Sequence, residues 1–153
     1  MPQQQQNVTA TITSARAYGA IYWATPAATS NATNTPILLA GTTAAHGTAN
    51  KITQGTANRL TYTGPATRTF FVLCSVGISA AAATVSKIHL YKNGAVITGS
   101  TITRAFSNTD IGAFAISAIV DVAPNEYVEL WGETNDGDDL TVQNGVLSMQ
   151  SID

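Results

Sequence analysis

The sequence is short of charge. Asp, Glu, Lys and Arg make up 10% of its 153 residues, against roughly a quarter in a typical soluble domain. Seven cations and nine acids leave a formal charge of -2, with no basic stripe to follow a phosphate backbone, so no nucleic-acid partner is expected. Cysteine is almost missing: Cys74 stands alone, which excludes an internal disulfide and fits synthesis in a reducing compartment. The two histidines, His46 and His89, have no Cys or clustered carboxylate near them in sequence and make no zinc set. Cys74 sits on an apolar strand face, where a buried thiol is expected rather than a nucleophile. There is no G-x-S-x-G elbow, and the glycines between residues 41 and 51 lack the spacing of a phosphate loop. These gaps argue against an enzyme, and no cofactor is expected. No apolar run is long enough to span a bilayer. The opening MPQQQQNVTA shows neither a cationic leader nor an apolar signal core, so no membrane partner is expected either.

What is present is apolar and neutral. Hydrophobic residues reach 44%, and Thr, Ala, Ser and Asn fill most of the remainder. Residues 1–15 form a polar arm whose run Gln3, Gln4, Gln5, Gln6, Asn7 cannot bury a core of its own. It reads either as a flexible tail or as a tether that orders on a partner. Residues 16–153 read as one all-β domain. In 110–133, DIGAFAISAIVDVAPNEYVELWGE, Phe114, Ile116, Ala118, Val120 and Val122 share one face, since strand side chains alternate. Val128 and Leu130 do the same after the Pro124-Asn125 break, and the stretch predicts a long antiparallel hairpin. Asn93-Gly94 between alternating runs predicts a type I′ hairpin. Residues 18–23, 36–39, 51–54, 60–63, 140–143 and 145–152 supply further short strands. Residues 24–35, 41–50 and 79–86 read as loops, and 99–109 as a connection with a short strand at 102–106. Many short strands without a helix indicate a sandwich or barrel.

Residues 69–78, TFFVLCSVGI, are apolar on both sides. Phe70, Val72, Cys74, Val76 and Ile78 suit a core, but Phe71 and Leu73 face the other way. A sheet with one wet face should alternate apolar and polar, so something must cover Phe71 and Leu73: another subunit, or a loop of the same chain. Among the carboxylates, Asp136, Asp138 and Asp139 around Gly137 are the one candidate metal set, offering oxygens to Ca²⁺. They lack the spacing and terminal Glu of an EF-hand, and a solvated turn with Asx hydrogen bonds explains them equally.

Several stretches together resemble the jelly roll of the tumour-necrosis-factor and complement type. Leu90-Tyr91-Lys92-Asn93-Gly94 matches the family's apolar-aromatic hairpin, and Val128-Glu129-Leu130-Trp131 its later strand ending in Trp. The opening Tyr18-Gly19-Ala20-Ile21-Tyr22-Trp23 resembles the first strand of jelly-roll modules in bacteriophage virion proteins. The resemblance implies an antiparallel jelly-roll β-sandwich assembled as a homotrimer, with Tyr22, Phe71, Leu73, Tyr127 and Trp131 as trimer-interface candidates. The Gln-rich arm departs from the collagen-like stalks of some relatives and favours a compact virion trimer. The implied role is a capsid decoration, or cement, protein on the outer surface of a bacteriophage head. There it would bridge subunits of the major capsid protein, with Gln3, Gln4, Gln5, Gln6 and Asn7 among the contacts. The alternative is a receptor- or glycan-binding knob using loops 24–35, 41–50 and 99–109, which contain no Tyr or Trp.

Overall fold

A computed structural model of the chain describes residues 15–107 and 110–153. Twelve strands and no helix occur among them: β1 Tyr18–Thr25, β2 Ala28–Thr29, β3 Ile37–Leu38, β4 Thr42–Ala45, β5 Ile52–Thr56, β6 Arg59–Tyr62, β7 Arg68–Ser79, β8 Val85–Lys92, β9 Ala95–Ala105, β10 Ile111–Val122, β11 Tyr127–Thr134 and β12 Leu140–Ser151. They form two antiparallel sheets. The first has the order β10-β7-β12-β1-β4, with β2 also on β12; the second runs β5-β6-β11-β8-β9, with β3 also on β11.

The core is made by the inward residues of both sheets, as the alternation predicts. Phe70, Val72, Cys74, Val76 and Ile78 of β7 are all buried, as are Phe114, Ile116 and Val122 of β10 and Leu147 and Met149 of β12. Across the gap stand Leu60 and Tyr62 of β6, Ile88 and Leu90 of β8, and Val128 and Leu130 of β11, each fully buried. Tyr62 meets Phe70 edge-on at 5.0 Å between ring centroids and donates its hydroxyl to the Ala66 carbonyl at 2.9 Å. A buried Tyr needs such a partner to offset desolvation.

Asn93-Gly94 makes the expected hairpin. Both residues have positive φ, 50° and 77°, and Lys92 pairs with Ala95 across the turn. The predicted 110–133 hairpin is corrected: β10 pairs with β7 in the first sheet, and β11 with β6 and β8 in the second. The Pro124-Asn125 turn is therefore an arch between layers. Asn125 takes φ 69°, and the Glu126 amide donates to the Ala123 carbonyl at 3.1 Å. The Glu126 carboxylate accepts from the Ala123 amide (2.8 Å), Lys92 Nζ (3.1 Å) and Asn93 Nδ2 (2.8 Å). A turn sequence sets a reversal; it does not decide whether the returning strand stays in its sheet.

Three loop assignments are also corrected. Within the expected 24–35 loop, Ala28–Thr29 forms β2 along β12. Residues 42–45, all Thr and Ala, form β4 along β1. Residues 99–105 of the expected 99–109 connection continue β9, which passes Gly99 (φ 80°) as a bulge. There the register with β8 shifts between His89 and Tyr91. Buried Ser100 secures the bulge, its Oγ lying 2.7 Å from the Ile97 carbonyl and 3.1 Å from that of Leu90. Bulges of this kind bend a strand without ending it.

Candidate functional site: the open face of the first sheet

The first sheet packs its inner face on the second and leaves its outer face open. Register fixes which residues meet there. Ile119 pairs with Phe71, Phe71 with Gln150, and Gln150 with Tyr18. The next row runs Ser117, Leu73, Ser148, Ala20, and the one beyond it Ala115, Ser75, Val146, Tyr22. Phe71 and Leu73 are each 41% exposed, Tyr22 38% and Ile119 65%. Among the described residues, no loop closes over Phe71 and Leu73. These strand rows carry no Lys, Arg or Glu. Asp121, at the far end of β10, accepts from Thr69 Oγ1 at 2.7 Å.

The face is uncharged, and its largest side chains are apolar. Its residues occupy odd positions of β7 and β10 and even positions of β1 and β12. On an ordinary half-wet sheet those positions would be charged or strongly polar. The patch is uncharged, with Ile119, Phe71, Leu73 and Tyr22 interleaved with Ser75, Ser117, Ser148 and Gln150, and exposed large apolar side chains grouped in this way suit a contact with another surface.

Of the five interface candidates, Tyr22, Phe71 and Leu73 lie together on this face. Tyr127 and Trp131 do not: they lie on β11, on the outer side of the second sheet. Alternation told which side of its own strand each residue faces, but not which sheet the strand joins. There Tyr91 and Trp131 stack at 4.4 Å and 10°, and Arg59 sits 4.1 Å over the Tyr127 ring. Buried Glu129 accepts from Trp131 Nε1 at 3.0 Å and pairs with Arg59 at 2.8 Å. Lys87 pairs with Glu133 at 2.6 Å. Ile111 and Ile119, 56% and 65% exposed, are members of the open face that sequence reasoning missed. The signal was present in the odd positions of residues 111–121, overlooked because the even set was taken as the whole story.

The other sequence candidates separate cleanly. Gln3, Gln4, Gln5, Gln6 and Asn7 lie outside the described residues. Asp136 Oδ1 accepts the Asp138 amide at 3.1 Å in an Asx turn, and Asp138 Oδ2 accepts from Thr84 Oγ1 at 3.2 Å. Among the described residues no three His, Cys, Asp or Glu side chains are grouped to hold a metal, so Asp136, Asp138 and Asp139 do not converge as a calcium set. Cys74 is fully buried, and burial pushes its thiol well above the ordinary range. That leaves it a core residue rather than a nucleophile. His89 is buried beside Thr101, with Nδ1 to Oγ1 at 3.0 Å, and its Nε2 is 4.0 Å from Glu133. Burial lowers its pKa, with Lys87 acting in the same direction and Glu133 against it.

No protein-family model matches the sequence, and no curated protein matches it either. Solved structures do match in shape. Murine APRIL at pH 5.0 superposes with a TM-score of 0.63 at 6% identity, over 90% of this chain and 100% of that one. Eiger TNF from S. frugiperda gives 0.60 at 10% identity, over 90% and 94%. At such identities the likeness is one of fold. The chain is an antiparallel β-sandwich of the tumour-necrosis-factor-like jelly-roll type.

Proposed function

We propose that this chain is a non-enzymatic structural protein that assembles as a homotrimer through the open face of the first sheet. The trimer then binds the outer surface of a bacteriophage head and stabilises it by bridging capsid subunits. The observation that supports assembly is the uncharged group of Tyr22, Phe71, Leu73 and Ile119, spread over three neighbouring rows of one sheet face and each more than a third exposed. Burying such a surface releases about 25 cal/mol per Å² of apolar area, and a second and third copy supply matching apolar area. The jelly-roll fold and the resemblance of its strands to tumour-necrosis-factor-type modules support three copies rather than two. The virion role is supported by the likeness of Tyr18–Trp23 to phage jelly-roll modules, and by a neutral arm suited to reach a neighbouring subunit. A clamp needs no catalytic group: binding only the assembled shell stabilises it by mass action.

The test mixes purified protein with undecorated heads and sediments them. Trimers travelling with the heads, and heads that then resist heat better, are the expected result. A trimer that stays in the supernatant would remove the decoration role and leave the assembly intact. A monomer at micromolar concentration would remove both.

A further inference from the structure

The open face changes character along its length. One end carries Ile119, Phe71 and Leu73; the Tyr22 end holds a depression of about 690 Å³ that Phe71 and Leu73 do not line. Tyr22 of β1, Ser75 of β7, Asn144 and Val146 of β12, and His46 after β4 surround it. None of its lining residues is Lys, Arg, Asp or Glu, and its volume is within the range of small-molecule sites. A β-bulge builds one side of it. β12 buries Leu140 and Val142 before Gln143 but Leu147 and Met149 after it, because Gln143 is the extra residue between the Val142–Ile78 and Asn144–Gly77 pairs. Bulges re-aim side chains in this way. The extra residue turns Asn144 out of the core onto the open face, and Gln143 Nε2 holds the bulge by donating to Ser79 Oγ at 2.8 Å. A Cβ at position 77 would lie 3.0 Å from Asn144 Oδ1, so the bare glycine leaves room for the amide.

Four polar groups around the depression are uncommitted. The Tyr22 hydroxyl, the His46 ring, Ser75 Oγ and the Asn144 amide have no hydrogen-bond partner among the described residues. The backbone of His46 is nevertheless fixed: its amide donates to the Ala20 carbonyl at 2.8 Å, and its carbonyl accepts from Gln54 Nε2 at 3.4 Å. The His46 and Tyr22 rings meet edge-on, 5.9 Å apart at 73°, and give the depression two aromatic walls of different orientation. The chemistry of this set narrows the ligand. A charged molecule would be desolvated here without a counter-ion. A wholly apolar one would strip water from an amide and two hydroxyls and return no hydrogen bond. A neutral hexopyranose does neither. Its hydroxyls donate and accept, as all four of these groups do, and its C–H face suits the electron-rich face of an aromatic ring.

We propose that this depression binds a neutral hexopyranose unit of a glycan, with Asn144, Ser75 and His46 as its hydrogen-bonding groups and the Tyr22 ring as its stacking wall. The inference goes beyond the trimer reading, because the depression is complete within one chain and shares only Tyr22 with the proposed contact. Saturation-transfer NMR on the full chain tests it, with a panel of methyl glycosides of neutral hexoses and N-acetylhexosamines at millimolar concentration. At least one glycoside is expected to receive saturation at its ring protons. Asn144→Ala and His46→Ala, both at exposed positions, are each expected to weaken its binding about tenfold and to leave the thermal midpoint unchanged. Methyl glucuronide, a hexose ring with a carboxylate added, is expected not to bind. The panel is run on the native chain and on Phe71→Asp, so that NMR reports the sugar site while light scattering reports assembly. Sugar bound by either protein supports the site whatever its mass. Transfer to none of the neutral glycosides in both proteins overturns the proposal and leaves the trimer reading standing. Affinity unchanged in both alanine variants, or equal binding of the glucuronide, overturns it as well.

Discussion

The two sheets turn opposite kinds of surface outward. On the second sheet, aromatic and charged side chains satisfy one another: Trp131 stacks on Tyr91, Glu129 holds Trp131 and Arg59, and Lys87 holds Glu133. On the first, Phe71, Leu73, Tyr22 and Ile119 lie open with no charge among them. A chain with so few charged residues has used several of them to finish one face and almost none on the other. The difference teaches where a partner belongs. A face whose polar groups are already paired gains little from contact, whereas an uncharged apolar face gains whenever it is covered.

The sharpest test of that contrast uses two adjacent phenylalanines on opposite sides of β7. Phe70→Ala opens a cavity in the core and is expected to cost about 3–5 kcal/mol of folding stability, measured by denaturant titration. Phe71→Asp is expected to change the stability of the single subunit by no more than about 0.5 kcal/mol. It should nevertheless raise the dissociation constant of the assembly by about a hundredfold, as removal of a central contact does. Light scattering over a dilution series reads that change. If Phe71→Asp unfolds the subunit instead, the face is core and the comparison fails.

On the second sheet the expected result is reversed. Glu129→Ala leaves Trp131 Nε1 and Arg59 without their acceptor. Breaking a buried pair costs several kcal/mol, less here because Arg59 is a third exposed, so about 2 kcal/mol is expected. Assembly mass should not change. Gly94→Ala strains a turn residue at φ 77° and should cost about 1 kcal/mol, read in the thermal midpoint, again without effect on assembly.

The smallest effect is graded with pH. Burial holds the His89 pKa below its ordinary 6.5, so the unfolded chain takes up that proton first as pH falls. The contribution of His89 is complete above pH 6.5 and declines as pH drops from there toward its folded value. The Glu126 carboxylate is held below its ordinary 4.5, chiefly by the Ala123 amide and then by Lys92 and Asn93. Its contribution is present above 4.5 and is lost as pH falls through the lower folded value. Stability against pH should therefore show an upper step that His89→Asn removes and a lower one that Glu126→Gln removes. A curve flat from pH 7 to 5 would contradict the first.

Much of this architecture was legible in the sequence because it is local. The alternation of residues 70–78 named the core side of β7 and exposed the anomaly at Phe71 and Leu73. Asn93-Gly94 named its hairpin because only a few residues tolerate two positive φ values in succession. Partnership between distant strands was not legible. Residues 110–133 look like a hairpin because the Ala123–Glu126 reversal is compatible with a return in the same sheet or in the opposite one. The choice is made by β7 and β8, which lie well outside the stretch. Parity separated Tyr127 and Trp131 from the core side of their strand but could not say which sheet that strand joins, and the structure puts them on the second sheet while Tyr22 and Phe71 lie on the first. β4 was hidden because Thr and Ala carry no amphipathic signal, and the length of β9 because Gly99 marks a bulge as readily as a break.

The central claim is that the open face of the first sheet is closed by further copies of the chain. Light scattering at micromolar concentration tests it most directly. The account predicts a particle of three 15.9 kDa chains that dissociates when Phe71 becomes Asp. A stable single-chain particle, with Phe71 and Leu73 accessible to solvent and no change on substitution, would contradict it.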